Sequence, residues 1–275
     1  MTQQATTARS SDADPEPSPS GGRLRLGGRL PTWTRPLPET LLVVVLYAAY
    51  RSTRNLLGSA HGQAVARGEA IERFEARLHL DPEHALNRLL AAHGHLATLC
   101  DYDYAVAHFA ITLTVMVLLY RKHSPTARRL AAAWYATNLL ALLGFWLYAL
   151  APPRLLPGGG FIDTVVAFHT WGSWGTGAVA SASNQYAAMP SLHIAWASWC
   201  AVGVWYLTRR WWLRLLGVCY PLVTLFVVLG TANHYLVDAA GGLLALSVGF
   251  AISEASIWSW SAITRARRAS RTGSP

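Results

Sequence analysis

Long apolar stretches alternate with short segments that hold nearly all of the chain's charge. The first apolar run, Thr40 to Tyr50, is too short alone for a bilayer that needs about 20 residues. Continued through Arg51 and Arg54 to Leu57, it makes a span with two arginines near one membrane face. A second span covers about Tyr104 to Tyr120, with His108 inside it. The third falls within Leu130 to Pro153, a stretch without Asp, Glu, Lys or Arg. From Thr164 to Thr208 only histidines could carry charge. Its first half is broken by Gly172, Gly175 and Gly177 and reads as a loop or partly re-entrant segment. A fourth span begins near Met189, a fifth covers Leu215 to about Thr231, and a sixth about Tyr235 to Ile257. This pattern predicts an all-α integral membrane bundle of six transmembrane helices.

Residues 59–101 break the pattern, being polar with helical spacing. Ile71, Phe74 and Leu78 share one helix face, Asp81-Pro82 reads as a cap and first-turn proline, and Leu86, Leu89 and Leu90 continue the periodicity. These residues predict amphipathic helices lying on the extracytoplasmic membrane surface. Residues 1–38 are rich in Ser, Pro, Gly and Thr and read as a disordered tail. A membrane domain over 39–258 follows, then a basic tail over 259–275.

Composition supports the membrane reading: 52% of residues are apolar and 13% charged, against about 25% charged in globular chains. The net charge of +9 is not a nucleic-acid footprint, because the basic residues sit mostly in four segments between or beyond the spans: 1–39, 121–129, 208–214 and 258–275. The intervening segment 55–101 sets four arginines against six acids. The positive-inside rule then places both termini in the cytoplasm of a multi-pass cell-membrane protein. Arg51, Arg54, Arg154, His193, His234 and Asp238 all fall at the outer ends of their spans, on the extracytoplasmic side. Cys100, Cys200 and Cys219 show no ligand spacing and read as small core residues. His93-Gly94-His95 lacks a third ligand at a recognisable spacing.

Two histidines, an aspartate and several arginines suit phosphoryl transfer through a covalent phosphohistidine. His234 and Asp238 are four residues apart and share a face if the segment is helical. The carboxylate would hold one imidazole nitrogen while the other attacks phosphorus. His193 would protonate the leaving oxygen and later deprotonate the acceptor. Arg154, Arg51 and Arg54 offer planar donor forks to phosphate oxygens. Neither metal nor cofactor is called for. A His/Asp pair that merely ties two spans would be an expensive choice, since an acid at a span's centre costs about 2.5–3.5 kcal/mol.

Pro190-Ser191-Leu192-His193 and His234 through Asp238 resemble the second and third motifs of the type 2 phosphatidic acid phosphatase superfamily. That superfamily reads Pro-Ser-Gly-His, and Ser-Arg followed by His and, four residues on, Asp. Its first motif is represented by Pro153-Arg154 without the usual upstream lysine, and its third-motif arginine falls on Val228. These departures resemble the branch holding fungal inositol phosphorylceramide synthases and their bacterial relatives, which carries Ser-Leu-His and His-Tyr-x-x-Asp. The resemblance implies six helices around an outward-facing site. Ser191, Asn233 and Tyr235 would support it, and Arg51 and Arg54 would make the phosphate contacts that Val228 cannot. It implies a phosphotransferase moving a phospho-alcohol headgroup, phosphoinositol in that branch, between lipids. The alternatives are a lipid phosphate phosphatase, with water as acceptor, and a non-catalytic lipid carrier or scaffold. Lipid phosphate or phospholipid and the membrane are the expected partners. Oligomeric state is not legible.

Overall fold

The computed structural model describes residues 40–48, 60–170 and 185–272, with side chains as far as Ser256. Among them the chain is all-helical, without a strand beyond one isolated bridge between Leu150 and Ala187. Helix α1 covers residues 40–48. It is followed by α2 (Ala60–Arg77), α3 (Pro82–Ala92), α4 (Gly94–Tyr102), a π-helical turn (Asp103–Ala107) and α5 (His108–Lys122). Next come α6 (Pro125–Leu147), a 3₁₀ turn (Pro153–Leu155), the short α7 (Thr164–Ala167), α8 (Leu192–Leu207), α9 (Trp211–Gly230) and α10 (Leu236–Thr272).

Four rods are long and apolar enough to cross a membrane: Gly94–Lys122, Pro125–Leu147, Trp211–Gly230 and Leu236–Ser256. Helix α8 is equally apolar, but its 16 residues span only about 24 Å of a hydrocarbon core about 30 Å thick. Of the six spans expected, four therefore meet the length among the described residues. Arg51, Arg54, the tail 1–38 and Gly172, Gly175 and Gly177 lie outside the described residues.

The rod over Gly94–Lys122, expected as the second span, starts ten residues before Tyr104, because the acids that made this stretch look polar are taken into the helix. The buried Asp101 carboxylate accepts hydrogen bonds from the hydroxyls of Thr164 (2.6 Å) and Thr170 (3.0 Å). Helix α6 likewise starts inside the expected basic loop. Ser124 caps it by accepting the Ala127 amide at 3.0 Å, and Pro125 takes the first position, where no amide is needed.

Helix α6 runs along α10, and α9 along α8. A Cβ at Gly249 of α10 would strike Thr137 and the Ala133 carbonyl, so the α6–α10 approach needs glycine there. Val115, Leu119, Leu130, Leu246 and Trp199 fill the core. The Trp199 indole N–H donates to the Leu130 carbonyl at 2.7 Å, so it is buried without an orphaned donor. Leu113, Leu222 and Leu244 face outward, each about two-thirds exposed, as lipid contact requires. Cys219 also faces out, which corrects the reading of all three cysteines as core; Cys100 and Cys200 are buried.

The amphipathic helices pack differently from their apolar spacing. On α2, Ile71 is buried, but Phe74 and, just past the helix end, Leu78 are half exposed. The face turned inward is Ala64, Gly68, Ile71 and Glu75. On α3 the expected Asp81 makes no side-chain cap bond, while Asn87 stitches the helix to the bundle. Its amide donates to the carbonyls of Gly230 and Ile162, both at 2.9 Å, and its oxygen accepts the Ile162 amide at 2.8 Å.

Candidate active site

Helix α9 ends in a tight reversal that delivers His234. Ala232 adopts a left-handed conformation (φ 53°), its amide returns to the Leu229 carbonyl (3.0 Å), and the Asn233 amide returns to Val228 (3.0 Å). This is the paired bonding of a Schellman motif, with alanine where glycine is usual. A left-handed alanine costs about 1 kcal/mol. That strain is held by burial, since Ala232 is fully enclosed.

His234 precedes the helix rather than lying on it, because α10 begins at Leu236. The pair still meets: His234 Nδ1 lies 3.4 Å from Asp238 Oδ2, with both side chains buried. Asp238 Oδ2 also accepts the Tyr235 amide at 3.0 Å, so the carboxylate caps its own helix and faces the imidazole with the same oxygen. Tyr235 contributes its hydroxyl, which donates to the Ala151 carbonyl at 3.2 Å.

Ser191, fully buried, caps α8 through the Ile194 amide at 3.5 Å and places His193 in the first turn. The rings of His193 and His234 are 5.7 Å apart. Tyr104, inside the π turn, stacks on His193 at 4.1 Å, and His108, just after it, lies 4.6 Å from the same ring. Wide π turns often mark functional positions in helices. His108 Nδ1 is paired with the Tyr220 hydroxyl at 2.9 Å. It is thus a hydrogen-bonded interior histidine and also a wall of the site.

Arg154 is held by three hydrogen bonds, two of them to the His234 loop. Its amide donates to the Ala232 carbonyl (3.0 Å), its Nε to Asn233 Oδ1 (2.8 Å), and its Nη1 to Asp163 Oδ2 (3.1 Å). The Asn233 amide in turn donates to Thr231 Oγ1 at 2.8 Å. Val228, where the superfamily's arginine would stand, is buried among Ile194, Leu229 and Ala239. Arg51 and Arg54 lie outside the described residues, so their relation to the site is not seen.

His193 Nε2, both ring nitrogens of His234 and Asp238 Oδ1 are buried without an aligned hydrogen-bond partner among the described residues. At 3.4 Å the His234–Asp238 approach is a contact and not an aligned hydrogen bond. Buried polar atoms are normally paired, so several orphans on adjoining side chains mark a place built for a polar ligand. A cavity of about 530 Å³ adjoins them. His108, His193 and His234 line it together with apolar Val43, Leu142 and Phe145 from α1 and α6.

Three contributors escaped the sequence reading. Asp163 sits in a short loop with no motif around it. Glu75 and Glu83 drew no notice among the six acids of 55–101, yet both are 2% exposed. Burial raises Glu75 to about 8 and Glu83 to about 7, and the charges of Asp81 and Asp238 add to the rise. The signal for Glu75 was its spacing of four, seven and eleven residues from Ile71, Gly68 and Ala64, the small side of its helix.

Together these features define an all-helical, membrane-embedded protein with a buried histidine–aspartate site. The family model for the PAP2 superfamily matches residues 69–252, a stretch that contains every motif above, and the chain belongs to that superfamily. Its enzyme class is accordingly phosphatase or phosphotransferase. No curated protein and no solved structure matches it.

Proposed function

We propose that this protein transfers a phospho-alcohol headgroup between membrane lipids through a phosphohistidine at His234, with phosphoinositol as the first headgroup to test. One observation carries the catalytic reading: His193 and His234, with buried polar atoms unpartnered among the described residues, line a cavity with apolar walls, and Asp238 stands behind His234. Such a cavity suits a substrate with a polar phosphate and a hydrocarbon tail. The phosphoinositol headgroup rests on the Ser-Leu-His and Asn-His-Tyr motif variants alone.

With Nδ1 turned to Asp238, His234 Nε2 is the nitrogen that attacks. It forms a P–N bond as the P–O bond to the donor lipid breaks, and His193 gives a proton to the departing oxygen. In the second step His193 takes the acceptor's hydroxyl proton, the acceptor oxygen bonds to phosphorus, and the P–N bond breaks. Asp238 stabilises the imidazolium that forms, and Arg154 stabilises the phosphoryl oxygens. Arg51 and Arg54 are proposed to add phosphate contacts. The proposed topology has six passes, the first over residues 40–57 and α8 as the short one, with cytoplasmic tails at 1–38 and 259–275 and an extracytoplasmic site.

The test is product analysis of the purified protein in detergent, given phosphatidylinositol or phosphatidic acid, with and without acceptor lipids. Acceptor-dependent headgroup transfer that disappears in His234→Ala supports the proposal. Inorganic phosphate released from phosphatidic acid whatever the acceptor makes the protein a phosphatase. Turnover of neither substrate, together with no phosphate trapped on His234, would leave a lipid carrier.

A further inference from the structure

Helix α10 begins with backbone amides that have no partner within the helix. Here three of them end on carboxylates. Tyr235 donates to Asp238 Oδ2 at 3.0 Å, Leu236 to Glu83 Oε1 at 2.6 Å, and Val237 to Glu75 Oε1 at 2.6 Å. Only the first acceptor is local. Glu83 and Glu75 come from α3 and α2, 153 and 162 residues earlier in the chain.

The arrangement costs more than a structural tie needs. A Ser or Asn cap from the adjoining chain would satisfy one of these amides without burying a charge. Instead two carboxylates are almost fully enclosed, facing each other's charge and those of Asp81 and Asp238. The positive end of the helix and the two short bonds to the amides reduce that cost without cancelling it. Beside them Glu72 and His84 meet at 3.1 Å and hold α2 to α3, so the two acids act from a joined pair of helices.

Their consequence falls on the next residue. Asp238 follows Val237 directly, and its Oδ2 is the atom that faces His234. The start of α10, and with it that oxygen, cannot turn or withdraw without breaking both glutamate bonds. We infer that Glu75 and Glu83 are positioning residues, which by gripping the Val237 and Leu236 amides set where Asp238 meets His234. This rests on the catalytic roles proposed above for His234 and Asp238.

The test uses the full chain in detergent, with Glu75→Ala, Glu83→Ala, Glu75→Gln and Glu83→Gln. Glutamine keeps an oxygen for the amide and loses the charge; alanine removes both. With a substrate that the wild type turns over, the alanine variants should lose about tenfold or more in kcat, with KM within about twofold, at temperatures where they remain folded. Glutamine should restore the rate only to that of wild type with both acids protonated, because it keeps the acceptor oxygen and lacks the charge. In wild type the rate should climb as the pair ionises between about pH 7 and 8, and in the Gln/Gln double variant that climb should be missing. Alanine variants with normal kcat and only a lower melting temperature would reduce the pair to structural caps. Should they fail to fold, a double-glutamine pH profile lying over the wild type's overturns the inference by itself. A second readout needs no turnover. The ¹⁵N resonances of the His234 ring, identified by their absence in His234→Ala, should move in Glu75→Ala and Glu83→Ala. Unmoved resonances sink the positioning role, whereas moved resonances in a protein without turnover sink only the proposed reaction.

Discussion

The amide of Ser191 donates a hydrogen bond to the carbonyl oxygen of Asp238 at 3.0 Å. One bond therefore joins the start of α8, which carries His193, to the start of α10, which carries Asp238. The neighbouring Gly242 makes this possible, because a Cβ there would collide with the Ser191 carbonyl. Two motifs separated in the chain by α8 and α9 thus share a backbone contact beside the His193–His234 pair.

Gly242→Ala should accordingly damage the site as well as the fold. We expect a loss of about 1–3 kcal/mol in stability from overpacking, with a fall in activity measured well below the unfolding temperature. Gly249→Ala, where α10 meets α6 away from the histidines, should show a similar stability loss with a smaller effect on kcat. Thermal unfolding and turnover of both variants, measured side by side, separate the two effects.

Under the proposed mechanism, His234→Ala should abolish phosphate incorporation into the protein. Asp238→Asn should retain the fold and lower the rate by about 10² to 10⁴, since the amide can bond the ring but cannot stabilise its cation. Rapid-quench labelling with a ³²P-lipid distinguishes the two, because the asparagine variant should still label, only slowly. Equal labelling in Asp238→Asn and wild type would remove Asp238 from the mechanism.

Asn233→Ala should act through Arg154. Losing the Nε partner at 2.8 Å frees the guanidinium to turn, and the lost hydrogen bond is worth about 1 kcal/mol. Weaker substrate binding, visible as a KM several-fold higher, is the expected signature, while Arg154→Lys should lose both binding and rate because the planar fork is gone. Steady-state kinetics on the two variants check this.

Stability should fall as pH rises from about 5 to 8. Glu75 and Glu83 are held above the ordinary carboxylate value, so the folded state binds protons more tightly than the unfolded chain through that window. Their favourable effect is complete below the ordinary carboxylate range and lost as pH passes about 7 and then 8. Glu75→Gln should flatten this dependence by removing the charge while keeping the acceptor. Melting temperatures at pH 5, 6, 7 and 8 in detergent provide the check.

Much of the plan was legible along the chain. Apolar length alone marked spans within 130–153 and over about 215–231 and 235–257, where the rods run over 125–147, 211–230 and 236–256, because a bilayer allows little else to such stretches. The spacing of His234 and Asp238 also anticipated their contact, though for a different reason: the residues meet across a Schellman reversal and a helix start, not along one helix. Helix edges were read less well. Asp101 made the segment before Tyr104 look like surface until Thr164 and Thr170 gave its carboxylate partners.

What the chain determined by itself was local: which stretches are apolar enough to enter lipid, and which residue types could handle a phosphate. Only the tertiary structure decided which acids are buried, which partner orients Arg154, and that two glutamates from α2 and α3 seat the helix carrying Asp238. The physical reason is the range of the forces involved. Burial and periodicity act over a few neighbouring residues and leave a pattern in sequence. A hydrogen bond between groups 162 residues apart leaves none until packing brings its donor and acceptor together.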